Sequence, residues 1–352
     1  MQIKKLFMLL LLVAFVTFTG CEKDDSSSPE PLKLKFGNGV LVVNDGKWGQ
    51  NNASITFLSY TNDSLYDDIF YKVNGKNLGD VANSFTRKDD KGFIVVSNSH
   101  KIEVVNLNNF QTVSTISMPG YNPRHMVISD NFGYVTSLDK DKVVKVNLTT
   151  YQIEKEIAVG SKPEGIVKVG DYLYVANSGY GTGNTVTVIS TKSDAVVKTL
   201  QVALVPQFLA VGTDNNVYVV CTGDYADPNK NSGLWKINTS NNTVVDSIIL
   251  KGYPTKITKF KTNQFLVTNS DGVIKVDVSA KQTSTLIPIN LVSTSSYPMV
   301  YSVAYDEVKD IIYAANPKDF KQNGEIIKFN SAGTKLGSFN CGINPGTIVI
   351  LR

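Results

Sequence analysis

Apolar residues along this chain come in short bursts, not in long helical stripes. Runs of five to seven residues rich in Val, Ile, Tyr, Phe and Thr are separated by Gly, Asn, Asp and Ser, the pattern of β-strands joined by tight turns. Residues 163–202 show the unit. Residues 165–169 read as a first strand, Gly170-Asp171 as a turn, residues 172–177 as a second strand, 185–190 as a third and 196–202 as a fourth. Apolar side chains stand on both sides of these strands, as sheets packed between other sheets require. Beyond the first twenty residues no segment keeps a helical apolar period for three turns.

The unit recurs. Pro123, Pro163, Pro206, Pro254, Pro298 and Pro345 open similar stretches at intervals of 40, 43, 48, 44 and 47 residues. An earlier unit starts near Val81, where Asn83 stands 40 positions before Pro123 and is read in place of the proline. A period in the forties with four strands predicts propeller blades. Six complete units run from Val81 to Gly342. The remainder is complementary: residues 346–351 form a first strand, and residues 40–44, 54–60 and 66–73 form a second, third and fourth. The sequence therefore predicts an all-β, seven-bladed β-propeller over residues 36–352, with its closing blade shared between the two ends of the chain. Such closure removes both free sheet edges.

Residues 1–20 read as a signal peptide. Lys4 and Lys5 precede 13 apolar residues, 6–18, and then Thr19-Gly20-Cys21. That run is short of the roughly 20 residues needed to span a bilayer, and it ends in small residues suited to cleavage. The cysteine at the cut resembles the lipobox of bacterial lipoproteins, which implies lipidation of Cys21. Residues 21–35, acidic and rich in Ser and Pro, read as a solvated tether. Lys23-Asp24-Asp25 resembles the export signal of Bacteroidetes surface lipoproteins and implies an outer-membrane, cell-surface location. The alternative is a polar linker facing the periplasm.

Composition narrows the field. Hydrophobic residues are 42% of the chain, enough for a large core. Without the leader, 33 basic and 31 acidic side chains remain; this near balance argues against nucleic acid as a partner. Cys221 and Cys341 fall in non-adjacent units, so two free thiols are expected.

The Tyr-Val-Ala-Asn of residues 174–177 and the Val-Ile-Ser-Thr of 188–191 resemble the YncE-like, quinoprotein-type propellers. Val42-Val43-Asn44-Asp45-Gly46, Gly79-Asp80-Val81 and the stretch from Gly92 to Val104 resemble the propeller lipoproteins of Bacteroidetes. Some of these capture cobalamin at the cell surface for a TonB-dependent transporter. The resemblance implies a small-molecule ligand, with a corrinoid foremost, and membrane contact only through the lipid anchor.

Loops after second and fourth strands leave the blades on one face, and there they are long. They carry Trp48 and Asn51, Tyr180 and Asn184, Tyr225, and Phe320, while Tyr121, Tyr253 and Tyr297 stand at the mouths of first strands. Length in a loop costs entropy without strengthening a blade, so this face is the expected binding surface. Aromatics among Asn and Gly suit a planar, amide-rich ligand. Arg124 and His125 begin an inner strand near the axis, where Arg124 is placed for a phosphate or carboxylate. His125 has only His100 as company, so no metal site is expected. No nucleophile motif, zinc spacing or phosphate loop occurs; the expectation is a non-enzyme with no cofactor. The alternatives are a platform for another envelope protein and a calcium-dependent, lactonase-like hydrolase using Glu164, Asn177 and Asp224.

Overall fold

A computed structural model describes residues 35–227 and 229–352. Seven four-stranded antiparallel sheets make up the domain. Blades 1 to 6 cover residues 82–117, 123–158, 163–201, 206–249, 257–288 and 303–340. Blade 7 joins Pro345–Leu351, as inner strand, to Gly39–Asn44, Ser54–Ser59 and Leu65–Tyr66. The expected fold and its closure are both found. Residues 1–34, including the expected leader, Cys21 and nearly all of the tether, lie outside the described residues.

Burial follows the blade layout. Second strands such as Tyr172–Asn177 are buried almost throughout, whereas the outer strand Ala195–Gln201 is exposed at all but Leu200. Each junction between neighbouring blades holds its own apolar cluster, so the core is a ring of seven. Cys221 and Cys341 are buried and free.

Two expectations need correction. Residues 66–73 do not form a fourth strand: after Leu65–Tyr66 the chain turns into a helix, Ile69–Asn74. Asp68 caps its start by accepting from the Tyr71 N–H, and Gly75, left-handed at φ 65°, ends it. The reason is burial. Adjacent Ile69 and Phe70 are both sequestered against Phe36, Phe57 and Phe110, whereas an outermost strand would turn one of them to water. Nor does Asn83 take the proline's place. Ala82 pairs with Val96 as Pro123 pairs with Ser137 and Pro163 with Asn177, so Asn83 matches Arg124, Glu164 and Gln207.

That one-residue difference matters because these positions are bulges. The inner strand skips a pairing between Ala82 and Ser84, Pro123 and Met126, Pro163 and Ile166, and Pro206 and Phe208. A bulge re-aims its side chain and leaves backbone groups unpaired. Neighbouring blades satisfy them: Thr347 donates to the Asn83 carbonyl at 2.7 Å, Ser84 to Arg124 at 3.0 Å, and Thr136 to Glu164 at 2.8 Å. The residue just before each of several inner strands is left-handed, including Val81, Asn122, Lys162, Val205 and Asn344. Such conformations are costly for Val. Each is pinned by its carbonyl, which accepts an N–H from just beyond the second strand, as in Ser97 to Val81 and Asp45 to Asn344, both 2.8 Å. The channel mouth is therefore a rigid rim.

Candidate functional site

The bulges present one polar residue after another to the axis. Arg124 of blade 2 donates from Nε to Glu164 Oε2 of blade 3 at 2.8 Å and from Nη1 to Asn83 Oδ1 of blade 1 at 3.0 Å. Glu164 is buried, and Arg124 and Asn83 are half-buried. Blade 4 adds Gln207, whose amide donates to the Tyr225 hydroxyl at 3.2 Å. Blade 5 adds Lys256. Tyr301, entering blade 6, donates to Asp45 Oδ2 at 2.8 Å. Asp45 lies against Gly346 of blade 7, where an added Cβ would come within 2.1 Å of its Oδ1.

Below this ring, side chains from non-neighbouring blades meet on the axis. His125 of blade 2 meets the Phe208 ring of blade 4 edge-on at 5.3 Å, and the Lys256 ammonium lies 3.9 Å from the centroid of that ring. Blade 3 carries Gly165 at the position of His125, so no side chain stands between them. Burial drives His125 well below the usual imidazole value, reinforced by the charges of Lys256 and Arg124, so it is neutral at physiological pH.

Burial also governs the charged groups. It raises the Asp45 carboxyl to about 7, against the opposing pull of Lys256, Tyr301 and Arg124. It lowers the Lys256 ammonium to about 8, opposed by Asp45. Perturbed groups gathered in a recess mark a candidate site with a physical rationale.

The expected aromatics divide. Tyr225 and Tyr253 stack with centroids 6.4 Å apart and planes 30° from parallel, and the Tyr253 hydroxyl donates to the Tyr225 carbonyl at 3.1 Å. They wall a cavity of about 440 Å³, completed by Thr255, Thr268, Pro298 and Met299. Tyr180, left-handed at φ 51° on its glycine loop, is near Arg124 and has Lys162 5.5 Å from its ring. Its loop meets Tyr225 through Gly181. Phe320 packs edge-on behind Tyr301 at 5.8 Å, which makes it a support for the Tyr301–Asp45 bond. The others are exposed or bonded elsewhere. Trp48 and Tyr297 are 69% and 83% exposed, Asn51 and Asn184 are exposed, and Tyr121 spends its hydroxyl on Glu156 in the outer strand of its blade. Of the three residues of the hydrolase alternative, Glu164 holds Arg124, Asn177 bonds Thr185 and Thr187, and Asp224 pairs with Lys230.

Asp45, Gln207, Phe208, Lys256 and Tyr301 were missed as site residues. The signal was present in the repeat: the one or two residues after each opening proline face the axis. Arg124, Glu164 and Gln207 directly follow their prolines, and Lys256, two residues after Pro254, takes the place of His125 and Phe208.

Solved structures with this fold include a quinoprotein alcohol dehydrogenase-like protein from Bacteroides thetaiotaomicron. It is 16% identical with a TM-score of 0.66, over 90% of this chain and 78% of that one. A functionally unknown protein from Desulfotomaculum acetoxidans is 12% identical with a TM-score of 0.67, over 90% and 99%. Virginiamycin B lyase from Staphylococcus aureus is 14% identical with a TM-score of 0.57, over 73% and 83%. At these identities the likeness is one of fold. No curated protein matches the sequence. The family model described as a domain of unknown function, DUF5074, matches residues 38–344, nearly the whole described domain, and the chain belongs to that family.

Proposed function

We propose that this protein is a binding protein that captures a small ligand on the long-loop face of its propeller. The observation that carries this reading is the recess beside the axis, where the Tyr225–Tyr253 wall and its cavity of about 440 Å³ adjoin the ring holding Lys256 and Arg124. The volume lies within the range of small-molecule sites, roughly 300–1,000 Å³. Stacked tyrosines supply flat apolar area at low entropic cost. A planar, amide-rich ligand fits this chemistry, and a corrinoid is the leading class. Part of it would enter the recess while the rest lies across Tyr180 and the rim. In this reading Cys21 carries the lipid anchor, the domain stands at the cell surface, and a TonB-dependent transporter receives the ligand. The role is binding, not catalysis.

Calorimetric titration of the full chain with cobalamin and cobinamide tests the ligand. Saturable heat with either supports the proposal. No heat and no thermal shift with both overturns the corrinoid assignment. The second reading, an interaction platform, is favoured by the exposure of Trp48 and Tyr297 on the same face. Fractionation of a Cys21→Ala variant tests the anchor: release from the membrane fraction is expected, and unchanged retention overturns it.

A further inference from the structure

The Lys256 ammonium is a charge the fold does not use. Arg124 is spent on Glu164 and Asn83, and those two opposite charges cancel. Among the described residues Lys256 makes no ion pair and its Nζ donates no hydrogen bond; the ammonium lies 3.9 Å from the centroid of the Phe208 ring. A half-buried, unpaired ammonium is costly, and an aromatic face offsets only part of that cost.

Its nearest electrostatic counterpart is Asp45, and the two do not meet. Asp45 is 9% exposed. Its Oδ2 takes the Tyr301 hydroxyl, and its buried Oδ1 has no partner. Two groups within electrostatic reach of each other are thus left incomplete: a cation without an anion and a carboxyl oxygen without a hydrogen-bond partner. Gly346 is what lets the carboxyl lie there, since any Cβ would strike it. A metal ion is a poor occupant beside Lys256 and Arg124, which repel it. An anionic group completes the set: it pairs with Lys256 and accepts from Asp45 when that carboxyl holds its proton.

We propose that Lys256 anchors an anion subsite at the channel mouth, taking a carboxylate or phosphate group carried by the bound ligand. This rests on the small-ligand reading above and names the chemistry such a ligand must present. The charged and titratable groups around the subsite are Asp45, Arg124, Glu164, Tyr180, Tyr301 and the neutral His125. Of these, Asp45 is the one that changes charge near neutrality. As pH rises through 7 it becomes a competing anion, and above 8 Lys256 itself loses charge. Anion affinity therefore falls with rising pH.

The test is calorimetric titration of the full chain with sodium acetate and with inorganic phosphate, at ionic strength held constant with sodium chloride. Saturable binding of at least one anion is expected in the millimolar range, and acetate, whose charge is constant over this span, should bind tighter at about pH 6 than at about pH 8.5. Lys256→Met should weaken it roughly tenfold or more and Lys256→Arg should largely preserve it. Acetate and phosphate arms separate the two group types. Lys256→Met removes an unpaired charge, so it should fold, which a melting curve checks. Equal anion affinity in Lys256→Met, tighter acetate binding at the higher pH, or no saturable heat with either anion overturns the subsite. Corrinoid titrations separate this result from the parent reading. Lys256-dependent acetate or phosphate binding with no corrinoid binding keeps the subsite and discards the corrinoid. Corrinoid binding that Lys256→Met leaves unchanged, with no anion bound, does the reverse.

Discussion

Arg352 pairs with Asp306 across the seam between blades 7 and 6. The carboxylate is 1% exposed, and it also accepts from the Tyr60 hydroxyl at 2.6 Å, which in turn touches the Tyr313 hydroxyl at 2.9 Å. Burial alone would raise this acid, yet bonds from Tyr60, the Lys309 N–H and Arg352 hold it below the usual carboxylate range. The backbone carbonyl of Arg352 meanwhile accepts from Arg87 of blade 1. One residue thus ties the closing blade to both neighbours.

Arg352→Ala should lower stability by about 1–3 kcal/mol. Asp306 is left as a buried charge with fewer donors, while Arg352 itself is partly solvated. Removing residues 346–352 is far more severe, because it deletes the inner strand of blade 7 and opens two edges. Urea denaturation followed by circular dichroism measures both. A truncated chain that melts within a few degrees of the intact one would refute the closure.

Asp45 makes stability depend on pH in a direction opposite to most carboxylates. Its folded value of about 7 lies above the ordinary 3.8, so the folded state holds the proton more tightly. The contribution is present below the unfolded value and is lost as pH rises from about 4 through 7. Its full size is on the order of 4 kcal/mol. Asp45→Asn keeps an oxygen for Tyr301 and cannot ionise, so it should be the more stable protein above pH 7 and should lack that decline. Denaturant midpoints measured across this range decide the matter. Parallel curves for the two proteins would count against the assignment.

Tyr225→Ala and Tyr253→Ala should each weaken ligand binding by roughly 1–3 kcal/mol, the range of a lost aromatic anchor. Tyr180→Ala should do the same to a lesser degree, since its ring is 64% exposed. Melting temperatures should hardly move, because none of the three is in the blade core. Calorimetry on the single variants gives the comparison, and equal affinity in all three would move the site elsewhere.

Phe70→Ala should cost about 3–5 kcal/mol, because the ring is fully buried against Phe36, Phe57 and Phe110. Gly75→Ala should cost about 1 kcal/mol through its left-handed φ of 65° alone. A neutral Phe70→Ala in chemical denaturation would mean that the helix is decoration on the closing blade.

That helix shows where sequence patterning stops. Repeats, turns and the composite blade were legible because each blade repeats the same burial requirement, and a repeated signal survives local noise. Residues 66–73 occur once. Tyr66, Ile69, Phe70, Tyr71 and Val73 all favour strands, and the expectation of a fourth strand leaves the short-range caps, Asp68 and Gly75, unread. For the site, aromatic loops were visible by length and composition, and the structure brings Tyr180, Tyr225 and Tyr253 together while Trp48 and Tyr297 stay exposed and Tyr121 turns to Glu156. Lys256 and Asp45 were not visible, because nothing in a linear pattern says that two residues 211 positions apart come within electrostatic reach of each other. Misplacing Asn83 by one position hid the ring that connects them.

The bulges that aim these side chains are held by hydroxyls from the adjoining blades and by left-handed residues pinned through their carbonyls. None of those bonds involves the side chain that points at the axis. The backbone that presents Asn83, Arg124, Glu164 and Gln207 is therefore held independently of their side chains, although Arg124, Glu164 and Asn83 remain coupled through their own bonds. Evolution can rewrite Gln207 by itself and Asn83, Arg124 and Glu164 as a set, like changing letters on a dial whose mechanism stays in place. Members of one family with the same scaffold are then expected to differ in what they hold, and the few residues after each opening proline are where that difference should be sought.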